Sequence, residues 1–171
     1  MSIIETHIES YDFNRGRTLT LLDQIEKGAS ELQQDTSQIL GWRCSQGRAH
    51  IAWQLTHIAV TEELFATERL APEKSGKWTS LWPRFRNGSV PDDDIPTIDL
   101  IRQVLAESRR ALLTTLREYS DEQLDEIPPA FSQRGWTLRT VLSVIGWHEA
   151  HHQGQAHLTL NLYRCQRAKV K

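Results

Sequence analysis

Four of the twelve residues in Gly-Trp-His-Glu-Ala-His-His-Gln-Gly-Gln-Ala-His, positions 146–157, are histidines. Neutral imidazole is the commonest metal ligand among side chains, so the first question is how many of these rings could share one ion. A helix turns about 100° per residue. That puts His148 and His152 about 40° apart and one turn above each other, with Gln155 nearly in line. His151 points toward the flank, and His157 lies near the opposite face. The His148/His152 pair continues the apolar stripe of Val141 and Ile145, so it faces the interior. Two inward histidines fit hydrogen-bonded structural roles as well as an ion. A third ligand from another segment would separate the two readings, and His57, on the stripe of Trp53, Val60 and Leu64, is the natural one. His50 shares nearly the same face but sits about 10 Å away along the axis, so both cannot reach one ion.

The same stretch contains His148-Glu-Ala-His-His152, the H-E-x-x-H string of zinc proteases. Two features argue against that chemistry. The extended form needs glycine seven and histidine ten residues after the first histidine; here Gln155 and Leu158 stand there, and Gly154 and His157 fall one residue early. Other such enzymes take an acidic ligand from downstream, and no Asp or Glu follows Glu149. Glu149 is about 100° from His148 around the helix, which predicts a supporting or surface role. Glu62 and Glu63 lie off the His57 face by more than about 100°, which gives them no part in an ion site.

Apolar spacing of three and four residues places helices near 13–34, 48–70, 97–119 and 137–163. Thr97, after Pro96, is a predicted N-cap, and Thr137 is another, with Trp136 and Val141 placed as a hydrophobic staple. Four amphipathic helices predict an all-α four-helix bundle in one domain of 171 residues. Between the second and third helices, residues 71–96 carry Trp78, Trp82 and Phe85 among glycines and prolines. A connection this long is either a lid over a site or a strap packed on the bundle. Trp78, Trp82 and Arg84 are candidate substrate contacts, and Arg84 with Arg86 could grip a carboxylate.

The formal net charge of −2 gives no electrostatic reason to expect nucleic acid or a membrane surface as partner. The basic tail residues Arg164, Arg167, Lys169 and Lys171 suit a solvated helix end. Cys44 and Cys165 fit no zinc ribbon or redox pair, and the amino-terminal residues do not read as a signal peptide, so a cytoplasmic setting is expected.

His-Ile-Ala-Trp-Gln-Leu-Thr-His-Ile-Ala-Val-Thr-Glu-Glu-Leu at 50–64, followed far downstream by Trp-His-Glu-Ala-His-His-Gln-Gly-Gln at 147–155, resembles the DinB/YfiT-like superfamily. That pattern has one histidine on the second helix and H-x-x-x-H, then Gly-Gln, on the last. It maps His57, His148 and His152 onto the three ligand positions. The one departure is Gln153, where relatives commonly carry arginine. The resemblance implies an up-down-down-up bundle, often a homodimer, with a divalent ion, typically zinc or nickel. It implies a small-molecule or low-molecular-weight thiol substrate, as in thiol-dependent S-transferases. Three neutral imidazoles leave an open position, so an activated water (a hydrolase) or an activated thiol (a transferase) is equally accessible. A non-catalytic homodimeric metal-binding bundle is the reading from another class. The pattern names no catalytic side chain beyond the histidines.

Overall fold

The structure, a computed structural model, describes residues 2–168. All its regular elements are helical, with no strand among the described residues. Four long helices make the frame: α1 (Ile3–Glu31), α3 (Ile51–Leu64), α5 (Ile98–Leu116) and α6 (Leu138–Ala168). Two short helices, α2 (Thr36–Leu40) and α4 (Trp82–Phe85), lie in the connections. Lys169 and Lys171 fall outside the described residues, whereas Arg164 and Arg167 are exposed on the last turns of α6. No helix among the described residues is long and apolar enough to cross a membrane.

Side-chain contacts fix which helices are neighbours. Glu5 pairs with Arg117, Arg15 donates to the Leu105 carbonyl and Asp23 pairs with Arg102, joining α1 to α5. Tyr11 donates to the Leu142 carbonyl and Asn14 to that of Gly146, joining α1 to α6. Glu62 pairs with Arg109, and Thr115 donates to the Ala66 carbonyl, joining α3 to α5.

The first helix begins ten residues before the apolar stripe predicts. Ser2 caps it by accepting from the Glu5 N–H, and the Asp121 carboxylate takes the N–H groups of Ile3 and Ile4. With those orphan donors satisfied, Ile4, Ile8 and Tyr11 bury against Leu138, Val141 and Leu142. The helix ends three residues early, at a left-handed Gln33. Thr97 and Thr137 cap as predicted, accepting from the N–H groups of Leu100 and Thr140. His50 is neither a ligand nor part of the stripe. It is the N-cap of α3, accepting from the Trp53 N–H through Nδ1.

Every residue of α3 is buried. Two of its sides meet α5 and α6, and segment 71–96 covers a third. Phe85, 1% exposed, packs with Trp53, Val60 and Leu64 there. Burial of that ring alone removes enough apolar surface to hold the segment down by roughly 1.5–3 kcal/mol. Past Leu64 the helix widens into a π turn, Phe65–Arg69.

Burial all round explains where the polar residues of α3 go. Glu62 lies in a neutral quartet with Arg15, Arg109 and Glu149, one residue from each long helix. Thr18 adds a hydroxyl to Glu149, and the Arg109 guanidinium lies over the Tyr11 ring. The four are 1–7% exposed, and such charges persist only when each is paired. Glu149 therefore has neither a surface position nor a place beside the histidines: both its oxygens are held by this quartet.

Candidate metal centre

His57 from α3 and His148 and His152 from α6 meet inside the bundle. The Nε2 atoms of His57 and His148 are 3.1 Å apart. One ring nitrogen from each of the three histidines lies within 4.8 Å of the others. Zinc–nitrogen bonds of about 2.0–2.1 Å at tetrahedral angles require nitrogens about 3.4 Å apart, so the His57–His148 spacing is close to a coordination edge and His152 is near enough to complete the set. The three donors are neutral nitrogens with no carboxylate among them, a set compatible with a borderline divalent ion such as zinc or nickel.

Neighbouring acceptors decide which nitrogen is free in two of the rings, His57 and His152. The Phe85 carbonyl can only accept, so His57 donates Nδ1–H to it, at 2.6 Å, and keeps the Nε2 lone pair. His152 places Nδ1 2.5 Å from the Oε1 of Gln54, one turn before His57 on α3. Donation to that oxygen leaves Nε2 of His152 free as well. The Trp53 ring stacks on His57 at 4.6 Å and 11°, fixing its plane. Gln54 is the residue that spacing missed. It lies three positions before His57 on the same face, and a glutamine on an otherwise apolar stripe was the available signal.

Burial dominates the electrostatics. It lowers the pKa of His57, with Arg69 adding to the effect and the Phe85 carbonyl opposing it. It pushes His148 down to about 2, helped by the charges His152, His57 and Arg69 would present. His152 is pushed down to about 3, by burial and then by His57 and His151. All three are neutral at pH 7, the protonation state that ligates.

The 71–96 segment is anchored as a strap. Glu63, 2% exposed, accepts from the backbone N–H groups of Lys77 and Trp78 and from the Trp82 indole. Trp53 donates its indole N–H to the Arg84 carbonyl and the Ser89 hydroxyl. Arg84 spends its guanidinium on Asp92 and Asp94, and His50 reaches the Asp92 carbonyl. The structure thus gathers His57, His148 and His152, and turns the polar ends of Trp82 and Arg84 toward strap partners. Trp78 packs partly buried against the core.

The H-E-x-x-H string brings its two histidines, His148 and His152, to the interior cluster but not its glutamate. His151 lies on the surface, stacked on Trp147 at 4.8 Å and bonded to Gln155. The inward pair is 148 and 152, and the intervening glutamate is locked in the quartet.

An all-helical frame with three interior histidines contributed by two of its helices defines the class to which this chain belongs. The sequence matches the DinB superfamily over residues 10–156, and the chain is a member of that superfamily. Its fold is similar to that of a conserved protein from Enterococcus faecalis seen in a crystal structure, with TM-score 0.68, 17% identity, and coverage of 95% of this chain and 97% of that one. No protein of curated function matches in sequence.

Proposed function

We propose that His57, His148 and His152 hold one divalent ion, zinc or nickel, through their Nε2 atoms, and that the protein is a metal-dependent enzyme acting on a small molecule or low-molecular-weight thiol. The observation that carries this reading is the 3.1 Å approach of two Nε2 atoms, one on a buried ring and one on a half-buried ring of separate helices, with no other partner at those atoms among the described residues. Two stacked lone pairs in an apolar interior are unfavourable unless a proton or a cation lies between them. A cation there would supply Lewis acidity, lowering the pKa of a water or thiol in its open position.

The chain's own residues do the rest. Gln54 and the Phe85 carbonyl orient two rings, Trp53 holds one plane, and the strap keeps water from the outer side of α3. The helix pairings described above support an up-down-down-up bundle forming a single domain. A thiol S-transferase is the preferred chemistry because it is the activity implied by the sequence resemblance. A hydrolase is the alternative, as is a non-catalytic homodimeric bundle with a structural ion.

Cobalt-substituted protein distinguishes these readings. The transferase reading expects a sulfur-to-cobalt charge-transfer band on adding 3-mercaptopropan-1-ol, absent in His152→Ala. Cobalt spectra indifferent to thiol, but shifting with pH near 7, would favour the hydrolase. Spectra indifferent to both would favour the structural ion.

A further inference from the structure

Two successive carbonyls of the strap are taken by two rings of α3 that lie flat on each other. Trp53 donates its indole N–H to the Arg84 carbonyl, at 3.1 Å, and His57 donates Nδ1–H to the Phe85 carbonyl, at 2.6 Å. The rings stack at 4.6 Å with 11° between their planes. One turn earlier His50 makes the same kind of bond. Its Nδ1 accepts from the Trp53 backbone N–H, so Nε2 carries the proton and donates to the Asp92 carbonyl, at 3.0 Å. Three aromatic N–H groups within two turns of α3 thus hold three carbonyls of the strap. The strap presents those carbonyls because it is clasped on itself. The Arg84 guanidinium binds both carboxylate oxygens of Asp92, at 2.9 Å each, and reaches Asp94. The Ser89 hydroxyl donates to the Arg84 carbonyl, at 2.7 Å.

The direction of His57 decides what the strap can control. Its Nδ1 faces the strap, and its Nε2 faces Nε2 of His148, 3.1 Å away. At Phe85 the strap therefore lies behind the ring, not across the converging nitrogens. What it sets is how firmly that ring is aimed. Positive charge at Nε2 draws electron density from an imidazole and makes its Nδ1–H a stronger donor. An accepted Nδ1–H in turn makes Nε2 a better ligand. These are two ends of one interaction, and such a coupling acts equally in both directions.

We propose that docking of strap residues 84–92 is coupled to ion binding at His57, His148 and His152. The strap is a control on ion affinity, and Trp53 is the positioning residue that ties it to His57. The inference rests on the metal reading above. Opening the Arg84–Asp92 clasp weakens the ion without touching a ligand, and loss of the ion loosens the strap.

The test pairs zinc affinity, read by competition with a chromophoric chelator, with amide hydrogen exchange of the full chain with and without zinc. Zinc is expected to slow exchange of the Arg86 and Ser89 amides, which bond to the Trp82 and Arg86 carbonyls, and to leave that of Gly135, outside the strap, unchanged. Arg84→Gln/Asp92→Asn opens the clasp from the strap's side. Trp53→Phe keeps a ring over His57 and removes the indole N–H. Each is expected to weaken zinc about fivefold or more and to shrink the protection that zinc gives the strap amides. A strap that only covers α3 would exchange faster in the variants with zinc affinity unchanged, and that result overturns the coupling. Wild-type strap exchange indifferent to bound zinc overturns it too. Weaker zinc in Trp53→Phe alone would place the effect in the ring stack and remove the strap's part. A wild type that binds no zinc contradicts the metal reading itself, and this is seen before any variant is made.

Discussion

The Nδ1–H of His57 is donated to the carbonyl oxygen of Phe85, 2.6 Å away. A backbone atom of the strap thus sets which nitrogen of a helix histidine faces the bundle interior. The side chain of the same Phe85 is what fastens the strap to α3. Strap packing and histidine orientation are consequently one device, not two.

Gln54 does for His152 what Phe85 does for His57. Gln54→Leu removes the acceptor and frees the ring to present either nitrogen. The expected effect is a 10–100-fold weaker ion, the range for lost outer hydrogen bonds, with Gln54→Glu weakened less. Competition against a chromophoric chelator reads this directly, and wild-type affinity in Gln54→Leu would rule the role out.

Glu63 fastens the other end of the strap through three N–H donors. Glu63→Ala leaves those donors unpaired, at a cost of about 1–3 kcal/mol. Limited proteolysis is expected to cut first within residues 75–90 in this variant and not in the wild type. Unchanged cleavage would mean the strap is held by Phe85 alone.

The buried quartet predicts asymmetry between removal and replacement. Glu149→Ala strands Arg15 and Arg109 in the interior and is expected to destabilise by about 3–5 kcal/mol in urea unfolding. Removing one exposed pair, as in Lys27→Ala against Glu31, should change stability by no more than about 0.5 kcal/mol. A loss below about 1 kcal/mol in Glu149→Ala would show that water reaches the quartet.

The low histidine pKa values make a signed prediction for metal-free protein. His148 at about 2 and His152 at about 3 stay neutral when folded, while the unfolded chain protonates both near 6.5. Between these limits the unfolded state binds more protons, so stability rises with pH. It is full above pH 6.5 and falls steadily as pH drops below it. Chemical denaturation of metal-free protein from pH 7.5 to 4.5 measures the slope. His148→Phe should flatten it, and a slope unchanged in that variant would place the titration elsewhere.

Much of this was legible in the residues. Angular spacing on one helix separated His148 and His152 from His151 and His157, and the apolar stripes placed three of the four long helices within a few residues of their ends. What spacing could not supply was surroundings. The early start of α1 depends on Asp121, 118 residues from Ile3. Angles from the histidines give Glu62 no role and Glu149 a supporting or surface one; the quartet forms because α3, buried on every side, has no outside face for the Glu62 carboxylate, and Arg15 and Arg109 join Glu149 to it. Arg84 and Arg69 look alike in a sequence; only the fold gives one a pair of aspartates and leaves the other over a phenyl ring.

Metal analysis of protein purified without a nickel column tests the central claim most directly. About one divalent ion per chain is predicted, retained in His151→Ala and lost in His57→Ala, His148→Ala and His152→Ala. A wild-type protein without an ion after incubation with zinc and nickel would contradict the account, as would loss of any one of the three rings without effect on ion content.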